Sequence, residues 1–79
     1  MDETRARDLA TRAIERLGGM DAVEHLFVEP HVPNPEQEFV IEDQRVIVRL
    51  RDEQRPATVY VGPYTFELRD RRLVRAAGA

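Results

Sequence analysis

The spacing of apolar residues changes once along this chain, and that change constrains the fold more than any other feature. Up to Val28 the apolar side chains recur at helical intervals; from Glu38 onward they alternate. A period near 3.6 presents a stripe on an α-helix, and a period of two presents one face of a β-strand. A chain in that order folds as helices first and strands second. Its apolar surface is hidden only if the first part lies on the second.

In residues 2–19 the apolar positions are Ala6, Leu9, Ala10, Ala13, Ile14 and Leu17, a continuous stripe on one helix. Asp2 or Thr4 is placed to cap its first amides, and Gly18-Gly19 to end it. A second, shorter helix is expected to open on Asp21, with Glu24 three residues on as a capping-box partner. Ala22, Val23, Leu26 and Phe27 form its expected buried side. It must stop by about Val28, because Pro30 disfavours helical geometry at Glu29. Residues 29–37, with Pro30, Pro33 and Pro35, then read as an extended strap.

Five short apolar runs follow: EFVIE, RVIVRLR, ATVYV, YTFEL and RLVRA. With Asp43-Gln44 as a two-residue turn, Ile41 faces Val46 and Phe39 faces Val48. With Gly62-Pro63 as the next, Val61 faces Tyr64, Val59 faces Phe66 and Ala57 faces Leu68. With Asp70-Arg71 as the last, Leu68 faces Leu73. Every such pair sets apolar residues on one side of an antiparallel sheet. The segments 39–47 and 66–74 echo each other in register, as two hairpins obeying the same alternation do.

The expected fold is therefore α+β: two N-terminal helices packed on a five-stranded antiparallel meander, in a single domain spanning 1–79. Its parts are helical 1–28, strap 29–37 and meander 38–76. A small curled half-barrel is the alternative. Leu9, Ala13, Ile14 and Leu17 are expected against Val48, Val59 and Phe66.

Composition removes several function classes. There is no cysteine, so disulfides, cysteine zinc sites and thiol chemistry are out. No apolar run approaches the roughly 20 residues a membrane span needs. Asp2 and Glu3 are unlike a signal peptide, so a cytoplasmic protein is expected, with no membrane partner. All 12 basic residues are arginine, a bias that points to a bacterium or phage with GC-rich coding. A core this small, with no staple, often gains stability by self-association, so a homodimer is expected.

Charge is unevenly laid out. Residues 1–43 carry a net −7 and residues 44–79 a net +4, within a total of −3. Glu29, Glu36, Glu38, Glu42 and Asp43 make a candidate acidic surface for a basic protein partner or for another copy of the chain. The alternative is RNA or single-stranded DNA binding by an arginine-bearing sheet face of Arg45, Arg49, Arg51, Tyr60, Arg69 and Arg71. Ordinary solvated surface would produce the same pattern.

His25, Glu29 and His31, with Glu24 or Glu36, supply metal-ligand types, but the spacing matches no ligand pattern, and no metal or cofactor is assigned. There is no serine, and no base stands at a recognisable spacing from Thr4, Thr11, Thr58, Thr65 or the tyrosines. The sequence thus reads as a non-catalytic interaction module, a homo-oligomer or a small accessory or inhibitory subunit.

Overall fold

The structure is a computed structural model and describes residues 1–26 and 36–76. Two helices, α1 (Glu3–Arg16) and α2 (Met20–His25), precede five strands. These are β1 (Glu36–Ile41), β2 (Gln44–Arg49), β3 (Thr58–Val61), β4 (Tyr64–Arg69) and β5 (Arg72–Arg75). The strands form one antiparallel sheet in sequence order. The first and last strands stay at opposite edges, so the sheet is open and not closed into a barrel.

Helix α1 begins where its cap allows. The Asp2 carboxylate accepts the Arg5 amide at 2.8 Å, satisfying one of the orphan donors of the first turn. Ala6, Leu9, Ala10, Ala13 and Ile14 are all buried, the stripe read from the sequence. Three alanines among them let the helix lie close to the strands. At its far end the Gly19 amide donates to the Ile14 carbonyl at 3.0 Å. Gly19, at φ +100 and ψ 171, adopts a conformation that side chains essentially forbid.

Helix α2 differs from its expected form. It starts at Met20, and its cap is Gly19, which offers no side chain. Asp21 lies inside the first turn and so cannot cap it, and Glu24 is engaged elsewhere. Val23 is buried, but Ala22 and Leu26 are exposed. Six residues give too few turns to bury more than one position against α1 and β4. Phe27, Val28 and nearly all of the proline strap lie outside the described residues.

The first hairpin turns one residue earlier than expected. Its turn is Glu42-Asp43, closed by Ile41 opposite Gln44, so that Phe39 faces Val46. Both turn residues have positive φ, 50° and 63°, as a type I′ turn requires. The expected pairing of Ile41 with Val46 was displaced by two positions, an even number, so every side chain kept its face. Strand β1 also begins at Glu36, two residues before the expected start of the meander. The other hairpins have the expected register: Val59 faces Phe66, the Leu68 amide donates to the Ala57 carbonyl at 2.9 Å, and Leu68 faces Leu73.

The inner face of the sheet and α1 enclose one core. Leu9, Ala13 and Ile14 share it with Val46, Val48, Val59, Val61, Phe66 and Leu68. Leu17, expected to be buried with them, is only partly so, because the helix ends at Arg16 and Leu17 sits on its cap.

The open edge at β5 is tied to α1 by charge. Glu3 accepts from Arg75 at 2.8 Å and pairs with Arg7 at 3.5 Å. The Arg7 guanidinium also donates to the Leu73 carbonyl and lies 5.0 Å from the Phe66 ring centroid. Arg75 in turn stands 4.9 Å from the ring of Tyr64. The Arg75 hydrogen bond, with Arg7 beside it, holds the Glu3 carboxyl below its ordinary value.

Candidate functional site

Because the helices cover one side of the sheet, alternation sends every second strand residue to the other side. That outer face carries Glu36, Glu38 and Val40 on β1, and Arg45, Ile47 and Arg49 on β2. Tyr60 on β3 is the cross-strand partner of Ile47, at the centre of the face. Thr58 on β3, Thr65, Glu67 and Arg69 on β4, and Arg72 and Val74 on β5 complete it. Among the described residues no helix packs on this side. Val40 is 64% exposed and Val74 45%, values well above those of a residue beneath another layer.

The acids read as a candidate surface are spread over two places, and most are matched by arginine. Glu38 lies 2.8 Å from Arg45 and Glu36 3.4 Å from Arg49, both pairs crossing from β1 to β2. Glu42, at the turn, meets Arg5 at 3.1 Å and Arg12 at 3.4 Å on α1. Asp43 is exposed beside it at the turn. Glu29 lies outside the described residues. The charge asymmetry along the chain thus folds largely into local pairs, since antiparallel pairing sets the acidic β1 directly against the basic β2.

The arginines read as a nucleic-acid face also divide. Arg45 and Arg49 stand on the outer face near Tyr60, each engaged with a glutamate of β1. Arg49 further approaches Asp52 at 3.8 Å, and its Nε is buried with no hydrogen-bond partner among the described residues. Arg51, Arg69 and Arg71 gather instead at one end of the sheet, where Arg55 and Arg72 join them. Sequence reading missed those two as members. Arg55 sits in a loop whose path no periodicity reveals.

That end is held by two contacts to α2. The Glu24 carboxylate accepts the Arg71 amide at 2.6 Å, and the Glu24 carbonyl accepts from the Arg51 guanidinium at 3.4 Å. The loop after β2 is shaped by Asp52, whose carboxylate accepts the amides of Gln54 and Arg55, both at 2.8 Å. Those two bonds hold the Asp52 carboxyl below its ordinary value.

Of the candidate metal ligands, His25, Glu24 and Glu36 are described and are not brought together, and Glu29 lies outside the described residues. His25 is exposed, with Nδ1 2.8 Å from the Asp21 carbonyl, and Glu24 points to Arg71. His31 lies outside the described residues, and no group of three metal-ligating side chains occurs among those described. Of the hydroxyls, Thr11 donates to the Arg7 carbonyl, Thr58 to that of Pro56 and Tyr64 to that of Met1. These bonds serve local structure.

Fold and surface together define a two-layer α+β protein in which, among the described residues, one side of the sheet is uncovered and one end is rich in arginine. No protein-family model matches the chain, and no curated protein or solved structure matches it significantly. No helix among the described residues is long and apolar enough to cross a membrane.

Proposed function

We propose that this chain is a non-catalytic interaction module that works through the outer face of its sheet, with a second copy of itself as the partner. The observation that carries the reading is the make-up of that face. Ile47 and Tyr60 sit side by side at its centre, Val40 and Val74 lie exposed toward opposite edges, and charged residues surround them. An apolar centre with a polar rim is the usual anatomy of a protein interface.

Charge favours a like partner. An isologous pair with its two-fold axis along the strands lays β1 over β5 and β2 over β4. Glu36 of one copy then lies over Val74 of the other, two residues along the strand from Arg72, while Arg49 opposes Glu67. Each contact occurs twice, and the intramolecular pairs can share their arginines with the partner. Role as a small accessory or inhibitory subunit belongs to the same reading, with the same face exchanged onto a different protein. A cytoplasmic setting in a bacterium or phage goes with it, given a cysteine-free chain whose basic residues are all arginine. Nucleic-acid binding by this face is disfavoured, because Arg45 and Arg49 already face carboxylates and would have to exchange them for phosphate.

Sedimentation equilibrium of the full chain across the micromolar range tests the proposal. A dimer is expected, weakened as salt rises to about 0.5 M, where screening acts within a few ångströms. Ile47→Arg should give a folded monomer with an unchanged far-UV circular dichroism spectrum. A monomer at every concentration, or a dimer indifferent to Ile47→Arg, overturns it.

A further inference from the structure

The arginine-rich end of the sheet adjoins the proposed dimer face and shares Arg69, Arg72 and Val74 with it, but its chemistry is different. An open hollow of about 510 Å³ lies there, lined by the loop after β2 and the end of β4, with Arg51, Arg55 and Arg69 around it. A second hollow of about 670 Å³ adjoins it, sharing Arg69 and Asp70 and adding Arg71 and Arg72. We propose that these joined hollows form a binding site for a phosphate-bearing anion.

Among the described residues, five guanidinium groups line the pair of hollows with Asp52, Glu53 and Asp70, while Glu24 and Glu67 reach the cluster from outside, at the Arg71 amide and at Arg69. Asp52 is occupied, because its carboxylate takes the amides of Gln54 and Arg55 and thereby fixes the loop that carries Arg55. Among the described residues, no carboxylate lies within ion-pair distance of the guanidinium groups of Arg51, Arg55, Arg71 or Arg72. Arg69 has one, Glu67, at 3.4 Å. Like charges held this close repel one another and await an anion.

The choice of phosphate follows from guanidinium geometry and number. A planar guanidinium fork matches two oxygens of a phosphate, and several forks need several oxygens. One carboxylate would satisfy a single arginine, whereas a chain of phosphates spans both hollows. Among the described residues no aromatic ring lines either hollow, and they offer no platform for a base. Recognition therefore follows phosphate number and is indifferent to any base attached. The frame is braced by Glu24, which holds the Arg71 amide and the Arg51 side chain from α2.

Two probes share this chemistry and separate its sources: inorganic tripolyphosphate and a single-stranded oligothymidylate. Each is titrated into the full chain at low salt and followed by calorimetry. Tripolyphosphate should bind, and the double variant Arg55→Ala/Arg71→Ala should weaken it at least tenfold. Arg71→Ala keeps the backbone amide that anchors Glu24, so the fold is retained. Arg45→Ala, on the outer face, should leave binding within twofold. Oligothymidylate binding more tightly than tripolyphosphate, with the same dependence on Arg55 and Arg71, identifies a nucleic-acid backbone as the source; the reverse order identifies a free polyphosphate. No binding of either probe, or an equal loss with Arg45→Ala, overturns the proposal. Arg55 and Arg71 lie off the dimer face, in the loop after β2 and the β4–β5 turn, so their variants test this site and Ile47→Arg tests the dimer.

Discussion

The Glu24 carboxylate accepts the backbone amide of Arg71 across 47 residues of chain, at 2.6 Å. This single bond joins the short second helix to the β4–β5 turn. The turn needs it, since Asp70 and Arg71 both adopt positive φ without being glycine.

Removing the acceptor tests how much the turn depends on that bond. Glu24→Ala should destabilise the protein by about 1–2 kcal/mol, the range for a charge-assisted bond in a partly exposed position. Hydrogen exchange at the Arg71 amide should accelerate by more than that of the Gly62 turn, which α2 does not hold. Equal acceleration of both amides would point to global loosening instead.

The helix stripe makes a contrast between two leucines. Leu9 is fully buried, so Leu9→Ala should cost roughly 2–5 kcal/mol in urea unfolding. Leu17, on the cap and partly exposed, should cost only about 1 kcal/mol when cut to alanine. Equal costs would mean that the helix extends further than Arg16.

A stabilising change is available at the first turn. Asp43 holds φ at 63°, a region where glycine carries no steric penalty. Asp43→Gly should raise the stability by about 0.5–1 kcal/mol, because relief of strain outweighs the added freedom of the unfolded chain. A fall in the urea midpoint would contradict a type I′ turn at this position.

The pH dependence should come from two carboxylates. Glu3, bound by Arg75 and Arg7, and Asp52, bound by two loop amides, both hold their protons less tightly folded than unfolded. The unfolded chain then binds more protons at acid pH, so stability is full above the ordinary carboxylate range and declines as pH falls through the lowered folded values. Both groups are exposed, so solvent screening keeps the contribution small. Chemical unfolding from pH 7 down to about 3 should show a plateau and then a decline below about pH 4.5. Glu3→Gln should flatten part of that decline by lowering the plateau slightly while leaving the acid end unchanged, because the neutral side chain lacks at pH 7 what the protonated carboxyl lacks at pH 3.

Element type and face were legible in the sequence because they are properties of the segment itself. A helix repeats at 3.6 and a strand at two whatever surrounds it, so Leu9 and Ile14 had to share a side, as had Val46 and Val48. Even the misplaced first turn preserved this, since displacing the pairing by two leaves alternation unchanged. Tertiary structure decided what depends on distant partners. Turn position at Glu42-Asp43 rests on left-handed backbone geometry that neither residue type announces. Glu24 looked like a cap because its spacing from Asp21 is local, yet its partner is Arg71, beyond four intervening strands. The acidic run appeared as a surface because sequence lists charges in order, while folding set Glu36 and Glu38 against Arg49 and Arg45. Ion pairs such as Glu3 with Arg75 join the two ends of the chain, and no local pattern encodes which distant group will arrive within 3 Å.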